Sequence, residues 1–256
     1  MVKNARHVCA RTLPATACMI AFALVSGCAT PKPPLSRETF ATDPVKVSPD
    51  SGVWDSEYGK TDGKSNLSYT FRLVRYADGF GVRATVRDDS VVTDDCRTGS
   101  VTCPSWDDDN IQCFFDGDND RSRDSRAAGG VYYGGEYTLV ANGAANSDYS
   151  SCPGGFGRDW FGTVARAERP GGGWKIEYDL RFTWRCLGRA RDPLPEEDVT
   201  FGFNICVHDD DDGGRADRAL YWKGNPEMPY RDESMFGTVV LRGERDKEKK
   251  HGRKKK

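Results

Sequence analysis

Apolar and polar residues alternate along several short stretches of the chain. Between positions 67 and 76 apolar residues occupy every second position, and the same period of two recurs over 80–87 and 173–182. Because successive side chains of a β-strand point to opposite faces, this pattern is typical of strands with one buried face. Further strands are predicted at 111–115, 136–141, 160–167, 199–207, 219–222 and 237–242.

The fold prediction is based on these strands. No stretch sustains the apolar spacing of an amphipathic helix, and glycine- and aspartate-rich turns separate the strands. The predicted fold is all-β, a jelly-roll-like sandwich of two antiparallel sheets over residues 51–243. The segment 54–66 is a glycine- and aspartate-rich opening, and the glycine- and serine-rich segment 142–159 is predicted to be irregular. Trp174 and Trp184 lie on or beside alternating strands and are predicted core residues.

Residues 1–27 predict an export signal. Three basic residues precede an apolar run at 19–25, which is too short to span a bilayer. Small residues and Cys28 follow, and this ending resembles a bacterial lipobox. The resemblance implies that Cys28 carries lipid, such as palmitate, and anchors the exported protein to the cell envelope, at the outer membrane or cell surface. A plain secretory signal with a coincidental cysteine is the alternative.

Two further segments flank the predicted domain. Residues 28–50 are rich in proline, serine and threonine and predict a flexible tether. Residues 244–256 are nearly all charged and predict a disordered basic tail. The net charge of the chain is −2, and its folded part offers no basic patch, so nucleic acid is not an expected partner. The oligomeric state stays open.

The cysteines of an exported domain predict disulfide bonds. Cys96 and Cys103 flank one short loop, so they are the simplest pair. Cys113 and Cys206 lie inside predicted strands, where they could be bridged across the sandwich or remain buried thiols.

The most informative stretch runs from Pro104 to Asp120. Trp106 is a large apolar ring in a polar turn, and it precedes the predicted strand 111–115. Alternating carboxylates follow that strand, and hard oxygen ligands of this kind suit Ca²⁺. The predicted ligands are Asp116, Asp118 and Asp120, with Asp88 and Asp89, or 209–212, completing the shell if the fold brings these ends together. Solvated acidic turns are the alternative, because aspartate favours turns.

An ordered set of motifs resembles the family 9 carbohydrate-binding modules. The matching segments are Gly79–Asp89, Trp106–Asp116, Trp174–Trp184, Phe201–Asp209, Leu220–Trp222 and Phe236–Leu241. The chain departs from the family at Gln112, where a glutamate is frequent, and in its opening, where no first strand is evident before Trp54.

This resemblance implies a sandwich that binds an oligosaccharide or polysaccharide without cleaving it, and that holds structural calcium. A sugar would lie between Trp106 and Trp222, and the side chains of Gln112 and Asn110 would bond its hydroxyls.

Other classes of function remain as alternatives. The first is a structural surface lipoprotein whose sandwich has no ligand. The second is a haem-binding electron-transfer domain of a related superfamily, with His208 and either Met228 or Met235 as axial ligands. An enzyme is the least favoured interpretation. Acidic residues such as Glu177 are abundant, but no nucleophile motif accompanies them.

Overall fold

The computed structural model describes residues 37–47, 53–55, 67–101, 103–122, 134–148, 155–189, 191–223 and 232–244. All of them belong to the unit Pro31–Lys256 rather than to the unit Met1–Thr30. The predicted signal peptide with Cys28, nearly all of the predicted basic tail and Met228 lie outside the described residues. Across the described ranges, no helix is long and apolar enough to cross a membrane.

The described ranges form β-strands and one short 3-10 helix at Trp184–Leu187. In chain order the strands are β1 (Glu38–Ala41), β2 (Val45–Val47), β3 (Val53–Asp55), β4 (Ser68–Tyr76), β5 (Gly79–Asp88), β6 (Asn110–Asp116), β7 (Gly134–Val140), β8 (Ala145–Asp148), β9 (Trp160–Glu168), β10 (Trp174–Thr183), β11 (Val199–Asp209), β12 (Arg218–Tyr221) and β13 (Gly237–Leu241).

The strands pair into two antiparallel sheets. The first sheet has the order β1-β4-β5-β10-β9, and β2 also pairs with β4. The second has the order β3-β12-β11-β6-β7-β8, and β13 also pairs with β11. The apolar faces of both sheets meet in one core, which confirms the predicted all-β sandwich.

Aromatic side chains dominate that core. The ring of Phe115 on β6 lies 4.8 Å from that of Phe182 on β10 and 5.1 Å from that of Phe80 on β5, centroid to centroid. These three rings join the two sheets edge to face, an arrangement that aromatic rings favour. Trp184 is fully buried and Trp174 packs at the margin of the core, as predicted.

Four short strands lie where the sequence predicted none. Part of the predicted tether forms β1 and β2, which pair with β4, so the tether does not extend through residue 47. Backbone pairing also extends to β3 at the start of the glycine- and aspartate-rich opening, and to β8 within the predicted irregular segment 142–159. Each has three or four residues, which is too short for an alternating pattern to stand out.

Candidate functional site

Trp106 lies in a tight turn at the entrance to β6. Its side chain is 46 % exposed, although large apolar residues of the described chain are mostly buried. The turn follows the predicted disulfide between Cys96 and Cys103, which is formed. It is closed by a hydrogen bond from the amide of Asp107 to the carbonyl of Pro104 (3.1 Å). The chain therefore presents an aromatic ring to solvent from a short, tied loop.

Three polar side chains hold this turn in place. The side-chain amide of Asn110 donates to the carbonyls of Ser105 and Asp108, both at 2.7 Å. The carboxylate of Asp108 accepts from two backbone amides of the disulfide loop, at 3.0 Å each. From β11, the Nδ1 atom of His208 donates to the carbonyl of Trp106 (2.8 Å). Asp108 was not predicted as a site residue, and His208 was considered only as a haem ligand, because the contact between β11 and the turn appears only once the strands are paired.

Next to the turn lies the outer face of the second sheet. Since Ile111 and Cys113 point into the core, their neighbours Asn110 and Gln112 point outward. Gln112 pairs with Thr138 on β7 and with Cys206 on β11, so it sits in the middle of this face. No hydrogen bond of its side chain occurs within the described residues. The Gln112 amide is thus close in the fold to the Trp106 turn, but the residue is only 3 % exposed, so a ligand could reach only the edge of this side chain.

The structure places Trp222 on the opposite, core-facing side of that sheet. Its ring lies 5.2 Å from that of Phe71 and 6.0 Å from that of Phe203, centroid to centroid, and both partners are core residues. The ammonium group of Lys223 lies 4.5 Å from the ring centroid. A Cβ atom at residue 237 would come within 2.7 Å of the ring, so glycine is required there. Trp106 and Trp222 are therefore not brought together as two facing rings.

A cluster of carboxylates lies where β5 and β11 end. Oxygen atoms of Asp88, Asp209 and Asp211 lie within 4.8 Å of one another. Asp88 and Asp209 are buried, and each has one carboxylate oxygen with no hydrogen-bond partner. A buried carboxylate is costly unless it is paired, hydrogen-bonded or bound to a metal. The donor set of this cluster, composed of hard oxygens, fits Ca²⁺.

Burial shifts the acidity of this cluster. Desolvation, reinforced by neighbouring carboxylates, raises the pKa of Asp209 to about 8. Desolvation also raises the pKa of Asp88 to about 6. The adjacent Asp109 has a pKa raised well above its ordinary value, because it is desolvated and close to Asp88. A bound cation would offset both causes by favouring the charged forms.

The other predicted ligands lie elsewhere. Asp116 and Asp120 cluster with Glu233, a residue that was not among the predicted ligands. Asp116 pairs with Gly202, whereas Asp209 lies seven residues further along β11, roughly 23 Å away at the usual rise per residue. The two ends therefore do not meet in one shell. Asp118 and Asp89 are exposed and belong to neither cluster.

Glu233 is a member of this acidic cluster that the sequence did not predict. It lies 113 residues beyond Asp120, in a segment without an acidic motif, and reaches the cluster through a backbone hydrogen bond to Ser122 (2.9 Å). Desolvation and the charge of Asp116 raise the pKa of Glu233 to about 8. Only the pairing of distant strands reveals such a partner.

An exposed aromatic ring in a tied turn, on an antiparallel sandwich, is the arrangement of a sugar-binding β-sandwich domain. Comparison of the sequence with family profiles agrees with this class: residues 51–244 match the carbohydrate family 9 binding domain-like family. The chain belongs to that family, whose modules are non-catalytic. No curated protein sequence matches the chain.

Solved structures share the fold. A family 9 carbohydrate-binding module from Caldicellulosiruptor kristjanssonii, in complex with cellotriose, is 17 % identical with a TM-score of 0.51. The match covers 77 % of this chain and 86 % of that one. A structure described as a module of the same family and organism, in complex with glucose, has the same identity and TM-score and covers 77 % of this chain and 87 % of that one. At this identity, the likeness concerns the fold.

Proposed function

We propose that this protein is a non-catalytic carbohydrate-binding lipoprotein that stacks a sugar on Trp106. The observation that carries the proposal is the exposed ring in a turn tied by Asn110 and His208. A pyranose has an apolar face that an indole ring covers and a rim of hydroxyls that need polar partners. Gln112, on the adjacent sheet face, supplies both an amide donor and an acceptor.

Family membership favours sugar binding over the two alternatives. A haem domain would need His208 and a methionine such as Met235 as the two axial ligands of one iron. Met235 is near Glu233 in the chain, and Glu233 clusters with Asp116. Asp116 pairs with Gly202, six residues from His208 on β11. This separation, roughly 20 Å along the strand, is too long for two ligands of one iron.

The sugar-binding proposal is tested with a glycan screen that begins with cellotriose and glucose. We expect binding to change tryptophan fluorescence in the unaltered protein, and Trp106→Ala to weaken it by about 30-fold or more, as for the loss of a central tryptophan anchor. Trp222→Phe is the control, since it keeps an aromatic ring in the core and removes no exposed platform. A folded Trp106→Ala protein with unchanged affinity would contradict the proposal.

Structural calcium at Asp88, Asp209 and Asp211 is the second part of the proposal. It is supported by the buried, partnerless carboxylate oxygens of Asp88 and Asp209. Asp116 and Asp120, with Glu233, form the candidate for a further ion. In either place the ion would cross-link strand ends and neutralise buried charge. Melting curves recorded in calcium and in chelator over a range of pH test this part of the proposal.

Membrane anchoring through Cys28 is the third part. It is supported by the short apolar run and the lipobox-like ending before that cysteine. We expect cells grown with labelled palmitate to label the protein, and Cys28→Ser to abolish the label and release the protein from the membrane fraction. Equal labelling of the two forms would contradict the anchor.

A further inference from the structure

The first sheet carries a groove on its outer face, remote from Trp106. Because Phe71 and Leu73 point into the core, the intervening Arg72 points outward, as do the alternate residues of β5 and β10. An open cavity of about 610 Å³ lies over this face, with Pro44 at one side and β9 at the other. This volume falls in the range of ligand sites, roughly 300–1,000 Å³. We call it the outer groove.

The floor of the outer groove is polar. Two guanidinium groups, two carboxylates and hydroxyl groups line it, contributed by Arg72, Arg83, Glu177, Asp179, Thr70 and Thr85. Most of these side chains lie on neighbouring strands with fixed register, so their spacing is set by the sheet. Such a surface offers many hydrogen-bonding groups to a hydroxylated ligand, beside apolar side chains such as Pro44 and Val164 that can contact the apolar face of a sugar.

Arg72 and Arg83 lie directly opposite each other on paired strands. Like charges in this relation destabilise a sheet unless each is compensated. Arg83 is compensated, because Glu38 lies 2.9 Å and Asp179 3.7 Å from its guanidinium nitrogens. The hydroxyl of Tyr76 also accepts from Arg83 at 3.0 Å. These contacts fix Arg83 in one orientation.

The described part of the chain gives Arg72 no such compensation. Among the residues that the structure describes, no carboxylate forms an ion pair with it. The nearby carboxylates are already paired with other cations: Asp179 with Arg181 at 3.3 Å, and Glu177 with Lys175. The outer groove therefore contains one guanidinium group whose planar fork of donors is available to a bidentate anion.

We propose that the outer groove is a second glycan site, selective for acidic oligosaccharides, in which Arg72 binds the carboxylate of a uronic acid unit. The threonine hydroxyls and the paired carboxylates of Glu177 and Asp179 bond the sugar hydroxyls on either side. The two sites lie on opposite outer faces of the sandwich. One protein can therefore hold an acidic chain in the outer groove while a neutral sugar stacks on Trp106.

Calorimetric titration with two oligosaccharides of equal length tests this proposal. One is an oligomer of galacturonic acid and the other is cellotriose. We expect the acidic oligomer to bind the unaltered protein and Arg72→Gln to weaken that binding by about tenfold or more, as for loss of a charge-assisted hydrogen-bonded pair. Trp106→Ala should leave it unchanged, whereas Arg72→Gln should leave cellotriose binding unchanged.

Two further variants separate this site from general charge effects. Arg169→Gln removes the same charge from the β9–β10 turn and should have no effect on the acidic oligomer. Thr163→Tyr places a bulky side chain in the outer groove, on an edge strand that tolerates it, and should block binding without removing charge. The proposal is overturned if the acidic oligomer fails to bind, if Arg169→Gln weakens binding as much as Arg72→Gln, or if Thr163→Tyr has no effect. If Trp106→Ala abolishes cellotriose binding but leaves binding of the acidic oligomer intact, the result concerns only the proposed function at Trp106.

Discussion

An exposed tryptophan binds a ligand well only if its ring is oriented before the ligand arrives, because ordering a loop on binding costs free energy. In this protein the turn around Trp106 is held through its backbone rather than through the indole itself. Both side-chain N–H groups of Asn110 are engaged by carbonyls of the turn. Asn110 is therefore better placed to position the ring than to contact a sugar.

Replacing Asn110 tests this positioning role. Asn110→Ala leaves two turn carbonyls without their donor, and we expect a loss of about 1–3 kcal/mol in the free energy of unfolding, measured in urea. Binding of cellotriose should weaken as well. The discriminating measurement is the double variant with Trp106→Ala: if Asn110 acts through the ring, the double variant binds no more weakly than Trp106→Ala alone. Additive losses would show that Asn110 contacts the sugar directly.

The sequence alone does not distinguish the exposed Trp106 from the core-facing Trp222. Trp106 and Trp222 both stand in aspartate- and glycine-rich surroundings, so local composition predicts exposure for both. The two tryptophans differ in the face of the sheet on which they lie. Alternate residues of a strand share a face, so Trp222 lies on the same side as Leu220, which points into the core. The alternation from Leu220 predicts this orientation of Trp222, but only if the end of β12 is already known.

At the scale of elements, the long strands were predictable and the short ones were not. β4, β5 and β10 have nine or ten residues, and each alternates over four or more buried positions. β1 and β2 have four and three residues and depend on the edge of β4 for their hydrogen bonds. Their structure comes from a partner that is distant in sequence, and no local pattern encodes such a partner.

The composition of the acidic clusters also depends on partners that are distant in sequence. The chain order predicted that carboxylates would collect beyond β6, and Asp116 and Asp120 do share a cluster. Which other acids join them depends on which strand ends are neighbours. Antiparallel pairing of β6 with β11 sends Asp116 and Asp209 to opposite ends of the sheet, so the predicted ligands divide among separate clusters, and Asp210 and Asp212 join Asp217 in a third one.

For the molecule as a whole, buried acids make stability depend on pH and on cations together. The pKa values of Asp88 and Asp209 are raised to about 6 and about 8, above roughly 3.9 for an unfolded aspartate. A raised carboxyl pKa favours folding when the group is protonated. That contribution is fully present below the unfolded pKa and is lost as the pH rises through 6 and 8.

We therefore expect the melting temperature of the chelator-treated protein to fall between about pH 5 and about pH 9. Calcium requires ionised carboxylates, so its stabilising effect should be small at the acidic end and grow with pH. Melting curves in chelator and in millimolar calcium, at matched ionic strength, measure both effects. Asp209→Asn should reduce the pH dependence and the calcium shift together, whereas the exposed Asp192→Asn should change neither. If the two melting curves stayed parallel across this pH range, the buried acids would not form a calcium site.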